Sequence, residues 1–262
     1  MATKMEAIVL RTVDYGENNK ILTLLTLQLG KIAALARGAK KPQSPLSAIS
    51  QPFTYGSYII QIGATQGMGT IYTADLLDSF RPIREDLYKT AYASYILELV
   101  DKFVEDREPS QGLYLLVLTT LQHLKEGKDP EIVARLVELN LLEVAGLRPE
   151  LYQCAHCYRP LESSIRFSIL HGGPLCGDCH AADERAVWMK PVTLRLLQTL
   201  QRLDIRRLGE TRVGPDVKRQ LNKILRLYVD EFSGVHVRSR NFLDQLHKYE
   251  FLADEPDTKP DP

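Results

Sequence analysis

Between Met5 and Asp75 the apolar residues come in short runs rich in β-branched and aromatic types, broken by Gly, Pro, Asn and Ser. That pattern predicts strands and turns. Five strands are expected, over residues 5–11, 20–28, 31–37, 53–62 and 69–75, with a tight turn at Leu29-Gly30. One long connection, residues 38–52, separates the third from the fourth. This layout suits a small closed barrel of the oligonucleotide-binding (OB) type, because closing the sheet removes its exposed edges. A small β-sandwich is the alternative.

Beyond Pro82 the period becomes that of helices. Leu87, Ala91, Tyr95, Leu99 and Phe103 form one apolar row, and Tyr88, Tyr92, Ile96 and Val100 form another beside it. A second helix is expected from Ser110 as N-cap to a stop at Gly127, and a third from Asp129 as N-cap, with Pro130 at its first position, to Gly146. Residues 113–118 and 136–144 are apolar nearly all round, which predicts the buried centre of a helical domain. Helical pattern resumes over residues 191–203 and 215–232. The expected fold class is therefore α+β and multidomain: a five-stranded OB-type barrel over 1–80, then an all-helical domain over 81–150 and 190–250. A cysteine-bearing insert occupies 151–189. Residues 251–262 are expected to form a disordered tail, since three prolines and four acids fall within 254–262.

Composition adds exclusions. With 262 residues, 44% hydrophobic and 25% charged, the chain is globular rather than disordered. No apolar run approaches the ~20 residues that cross a bilayer. Glu6 interrupts the first apolar run, so no signal-peptide layout opens the sequence. A soluble, cytoplasmic protein with no membrane partner is expected. Lys+Arg 33 balance Asp+Glu 33, yet the charge is uneven along the chain. Residues 1–84 carry nine basic against five acidic residues, 85–184 nine against seventeen, and 185–262 fifteen against eleven. The balance runs +4, −8, +4, which points to segments with different partners or to an ordinary solvated surface.

The four cysteines form one constellation, Cys154-x-x-Cys157 and, eighteen residues on, Cys176-x-x-Cys179. Each CxxC presents two thiolates on one tight knuckle, and two knuckles complete a tetrahedron around a single Zn2+. Two disulfides or a thioredoxin-type redox pair are the alternatives; a cytosolic compartment disfavours the first, and the second needs only one CxxC in a βαβ context. Pro160, Gly172, Gly173 and Gly177 supply turns for a ribbon-like module. His156 and His180 adjoin the thiols, but four cysteines already close a structural site and leave no position for a reacting water. The remaining histidines are scattered, with no HExxH or GxSxG arrangement, and no Walker A spacing follows Gly63. No catalytic residue is expected.

Basic residues point instead to phosphate binding. In the N-terminal segment Arg11, Lys20, Arg37, Lys40 and Lys41 are candidates, the last three within Arg37-Gly-Ala-Lys-Lys41, where a glycine lets backbone N–H groups approach a phosphate. Tyr15, Phe53, Tyr55, Tyr58 and Tyr72 are aromatics able either to stack on bases or to fill the barrel. The helix from Pro215 is expected to carry Lys218, Arg219, Lys223 and Arg226 opposite its apolar side, flanked by Arg206, Arg207, Arg212, Arg238 and Arg240.

With these segments in this order, the sequence resembles the bacterial recombination mediator family RecO over nearly its whole length. The resemblance rests on residues 6–18 (EAIVLRTVDYGEN), Thr26 to Gly30, residues 36–44 with their ARGAKKPxS pattern, and VRSRNFL over 237–243. It implies an OB-type DNA-binding domain, a helical domain, and one structural zinc held by Cys154, Cys157, Cys176 and Cys179. It further implies a non-catalytic DNA repair and recombination function: binding of single- and double-stranded DNA, annealing of complementary strands, and help in loading RecA onto strands coated by single-strand-binding protein (SSB). RecR, the SSB C-terminal tail and a nucleoid association come with that implication. Arg11, Lys20, Arg37, Lys40 and Lys41 match the family's basic DNA-facing positions. A protein-interaction scaffold for acidic partners and a zinc-dependent nucleic-acid hydrolase are the alternative functions.

Overall fold

A computed structural model describes residues 2–63, 67–161, 165–210 and 212–253. The expected tail lies outside the described residues from 254 onward.

Five strands close into a barrel: β1 Ala2–Tyr15, β2 Asn19–Thr26, β3 Gly30–Ala36, β4 Tyr55–Gln61 and β5 Gly69–Asp78. Their order is β1-β2-β3-β5-β4, with β4 returning to β1 and only β3–β5 parallel. The barrel, not the sandwich, is the outcome. β1 is longer than its hydrophobic run because it serves two partners: Ala2 to Ile8 pair with β4, and Ala7 to Tyr15 pair with β2. A register shift between Val9 and Arg11 bends the strand from one to the other. β4 starts later than expected because Phe53 has φ +71°, a left-handed conformation that a strand residue does not adopt.

The long connection contains a helix that the hydrophobic pattern does not announce, α1 Pro45–Ile49. Ser44 caps it by accepting a hydrogen bond from the Leu46 N–H at 3.2 Å. Leu46 and Ile49 plug the barrel against Met5, Val9, Leu24 and Tyr58, and the Tyr58 hydroxyl donates to the Ile49 carbonyl at 3.1 Å.

The helical domain comprises α2 Arg81–Arg84, α3 Leu87–Phe103, α4 Gln111–Glu126, α5 Pro130–Val144, α6 Pro191–Arg202, α7 Pro215–Ser233 and α8 Ser239–Ala253. The expected caps at Ser110 and Asp129 are present, and Gly127 ends α4 at φ +87°. α2 and α3 are separate helices because the Asp86 carboxylate accepts from the Lys89 N–H at 3.0 Å and starts a new helix. α8 reaches into the first residues of the expected tail. At the domain centre Arg135 and Glu138 of α5 pair at 3.0 Å while 6% and 0% exposed, and the Tyr95 hydroxyl donates to the same carboxylate at 2.5 Å.

Between α5 and α6 lies the insert, a small sheet of β6 Arg166–Ser168, β7 Gly173–Leu175 and β8 Val187–Trp188 in the order β7-β6-β8.

Barrel and helices are fused. Ile8, Leu10, Leu25 and Phe53 join the apolar core of the helical domain rather than the barrel interior. Gly30 has φ +64°, and a Cβ there would stand 2.3 Å from the Glu108 carbonyl oxygen on the segment between α3 and α4. Gly30→Ala should therefore lower stability by about 2–4 kcal/mol, combining left-handed strain with backbone overlap. Gly112→Ala, at a helical position with open space, should raise it by about 0.5 kcal/mol. Chemical denaturation of both variants checks the contrast; equal midpoints would mean the domains are not in close contact at Gly30.

Candidate metal centre and nucleic-acid interface

The first knuckle is a tight hairpin. Cys154 donates its N–H to the Arg159 carbonyl at 2.9 Å, and Tyr158 donates back to the Cys154 carbonyl at 2.8 Å. Tyr158 holds φ +60° at the turn. The second knuckle leaves β7 into a short 3-10 helix, Gly177–Ala182, at whose start the Cys179 N–H bonds the Cys176 carbonyl at 3.0 Å. An Arg159–Asp178 ion pair at 3.0 Å ties one knuckle to the other.

All four sulfurs lie within 4.8 Å of one another, and Cys157 and Cys176 stand 3.7 Å apart. Ligands at ~2.3 Å around one tetrahedral ion are about 3.8 Å apart, so the cluster fits a four-thiolate metal site. The cysteines are free, not disulfides. Hydrogen bonds from the Arg159 backbone and side chain draw the Cys157 thiol down to about 6, while burial and the neighbouring thiols push Cys179 up to about 12. Four sulfurs this close cannot all ionise without a cation among them; a metal ion held by the four would supply that charge.

Of the histidines, His156 and His171 stack edge to face at 5.1 Å, and His123 is buried with Nε2 against the Ile205 carbonyl at 2.7 Å.

The basic candidates separate into groups. Gly38 donates its N–H to the Asn19 side chain at 2.9 Å, and Lys40 donates its N–H to the Asn18 carbonyl at 3.0 Å. These bonds fold the 37–41 loop onto the β1–β2 turn. Arg37, Lys40 and Lys41 are exposed there, Lys20 is half-buried opposite Asp14, and Tyr15 is 52% exposed. Lys40 pairs with Asp14 at 2.8 Å and, with Lys20, holds that carboxyl below the ordinary range. Arg11 is elsewhere. It reaches Asp101 of α3 at 3.1 Å, on a groove of about 480 Å3 that also takes in Lys102 and Arg238. Lys102 is missing from the sequence-derived set because its contact with this groove joins segments about ninety residues apart and leaves no local signal. Among the aromatics, Phe53 and Tyr58 are buried, whereas Tyr72 is exposed.

The expected cationic face of α7 is interrupted. Lys218 is half-buried between Asp129 at 2.7 Å and Glu131 at 2.9 Å. Arg226 pairs with Asp244 of α8 at 2.7 Å, and Arg219 pairs with Asp216. Lys223 is exposed. Arg240, expected to widen the patch, is instead buried, bonded to Asp230 and 5.8 Å from the Tyr95 ring. The reason is tertiary: the start of α5 supplies Asp129 and Glu131 to Lys218, and α8 supplies Asp244 to Arg226 and turns Arg240 into the core.

Fold and site together define a class: an OB-barrel protein whose fused helical domain carries a four-cysteine metal-type insert. Residues 1–80 match the family model Recombination protein O N terminal, and residues 84–241 match Recombination protein O C terminal. The chain is 44% identical over 255 residues to the DNA repair protein RecO of Bacillus subtilis (strain 168), covering 97% of this chain and 99% of that one. It is 45% identical over 252 residues to the DNA repair protein RecO of Bacillus pumilus (strain SAFR-032), covering 96% and 97%. With that of Halalkalibacterium halodurans it shares 42% over 251 residues, covering 96% and 98%. The chain belongs to the RecO family, and its role is in DNA repair and recombination. No helix among the described residues is long and apolar enough to cross a membrane.

Cys176→Ser should lower the thermal midpoint, and treating the wild-type protein with a strong chelator should lower it to a similar extent, because metal affinity in such sites is realised largely as folding free energy. Scanning calorimetry of the variant with and without chelator checks this. A chelator effect of undiminished size in Cys176→Ser would remove these sulfurs from the site.

Proposed function

We propose that this chain is a non-catalytic recombination mediator. It binds single- and double-stranded DNA, anneals complementary strands and, acting with RecR, helps RecA replace SSB on single strands. The metal is one Zn2+ per chain, bound by Cys154, Cys157, Cys176 and Cys179, and its role is structural. Contact with the SSB C-terminal tail and residence at the nucleoid belong to the same reading. The observation that carries it, beyond membership of the family, is the meeting of Lys20, Arg37, Lys40 and Lys41 at one end of an OB-type barrel beside an exposed tyrosine. Cations on a strand and a loop neutralise phosphates without reading base edges, so binding is electrostatic and weakly sequence-dependent. Arg11, Lys102 and Arg238 extend this surface along the groove beside α3.

Annealing requires two strands to be neutralised together, which lowers the repulsion opposing their pairing. The barrel end holds one. The second is held on the side of α7, where Lys223 is the better candidate and Arg219 shares its charge with Asp216. Lys218 and Arg226 contribute less, because carboxylates of α5 and α8 already compensate their charge.

Elemental analysis of protein purified without chelator should give one zinc per chain. If about 4 phosphates are contacted at the barrel end, log K for a single strand should fall against log salt with slope about −3. Neutralising Lys40 and Lys41 together should make the slope shallower and weaken all sequences alike. An unchanged slope would move the contact off this loop. Lys223→Glu should slow annealing of complementary strands more than it weakens binding of one short strand; normal annealing by that variant, or a requirement for ATP, would refute the two-surface mechanism. The experiment that tests the whole reading is RecA loading on labelled single strands already coated by SSB, with and without this protein and RecR.

A further inference from the structure

The sequence contains a single tryptophan, Trp188, and the fold leaves it 54% exposed. Its position is imposed by strand alternation. Val187 packs against the helical core and Met189 is fully buried, so the residue between them must point away. The strand is also held firmly. Gln220 of α7 donates its side-chain N–H to the Trp188 carbonyl at 3.0 Å, and accepts from the Lys190 N–H at 2.9 Å. The backbone thus holds Trp188 at the edge of a groove between β8 and α7.

That groove, about 630 Å3, is lined by Arg185, Trp188, Lys190, Asp216, Arg219 and Lys223, among others. These six include four cations and one carboxylate, so their net charge is +3. Asp216 pairs with Lys190 and Arg219, which keeps its carboxyl below the ordinary range. Lys223 and Arg185 have no ion pair with any described residue. Tryptophan is a large apolar side chain that folding ordinarily covers, and the described residues leave about half of Trp188 uncovered. A flat aromatic ring rimmed by cations matches one chemistry closely: a nucleobase stacks on the ring while its flanking phosphates are neutralised. An acidic peptide would find the charge but not a cluster of aliphatic side chains, since the large exposed apolar surface here is one planar ring.

We propose that the groove between β8 and α7 is a second single-strand contact, in which Trp188 stacks on a base and Arg185, Lys190 and Lys223 neutralise the neighbouring phosphates. The inference rests on the DNA-binding reading above and adds to it a site, a ligand class and a stacking residue.

Because Trp188 is the sole tryptophan among twelve tyrosines, selectively excited tryptophan emission reports on this site alone. The full-length protein is titrated with a labelled oligothymidylate while label anisotropy and tryptophan emission are followed together. Quenching that saturates with the anisotropy is expected. An abasic strand of equal length, with the same phosphates, should bind with little quenching. Trp188→Ala should weaken binding of the base-bearing strand about 5- to 150-fold, the range for one stacked base, while Trp188→Phe retains most of the affinity. Normal anisotropy with unchanged emission would overturn the inference and leave DNA binding standing. Equal quenching by abasic and base-bearing strands would overturn the stacking role. Quenching by an acidic peptide but not by the oligonucleotide would reassign the groove to a protein partner, and an absence of any anisotropy change would overturn both readings.

Discussion

β1 cannot be satisfied by the barrel alone. Ala7 and Val9 point into the barrel, while Ile8 and Leu10 point out of it and are 0% and 5% exposed. A strand that is apolar on both faces requires a second layer, and the helical domain is that layer. Leu25 and Phe53 extend the same seam. Around this apolar contact the polar groups become fixed: Lys31 bonds the Asp101 carbonyl at 2.6 Å and pairs with the Asp101 and Asp106 carboxylates, and the Arg107 N–H bonds the Lys31 carbonyl at 2.9 Å. The Lys31 and Asp101 side chains are only 12% and 13% exposed, so desolvation offsets much of the attraction within the pair. Their consequence is orientation, since the barrel end that gathers the cations is held in one place relative to α3.

The same seam explains how the charge is distributed. The acidic centre of the sequence is not simply a solvated face. Asp101 and Asp106 compensate Lys31, Asp101 also compensates Arg11, and Asp129 with Glu131 compensates Lys218. Segment totals of +4, −8 and +4 therefore mix charges used internally with charges left to a partner. Cations paired within the chain keep part of their field but approach a phosphate only against the pull of their own carboxylates. Arg37, Lys41 and Lys223 carry no such partner among the described residues, and they offer their charge most directly.

Much of this architecture is legible in the residues. The five strand runs, the caps at Ser110 and Asp129 and the paired CxxC motifs are local signals, and each appears in the structure within a few residues of its expected place. What local pattern cannot carry is the identity of distant partners. The α7 cations are adjacent on a helical wheel, yet α5 and α8, about 85 and 20 residues away, decide which of them are compensated. α8 itself lies under the VRSRNFL motif, whose polar residues mask its period. α1 is short, but Ser44-Pro45 was a usable start signal inside a segment otherwise read as loop. The run from Ala7 to Leu10, apolar without alternation, was likewise the trace of the interdomain seam.

A metal ion held by all four cysteines would have no ligand position left for a reacting water, so the cluster bears on the rest of the protein through the chain that it ties together. The second knuckle follows directly from β7, β7 pairs with β6, and β6 pairs with β8 through Arg166 opposite Trp188. Few apolar residues support that three-stranded sheet on the cysteine side: the buried cluster there is Leu175 with Cys154, Cys176 and Cys179. The other face of the sheet is held by the large helical core through Ile165, Phe167 and Met189, so it is only the two knuckles that depend on the cysteine cluster for their order. The other wall of the groove, α7, belongs to the large helical core through Leu221, Ile224 and Leu225. The sheet that follows from the cysteine knuckles and the helix that forms the facing wall thus share one hydrophobic core, which ties the four-cysteine cluster to the position of Trp188.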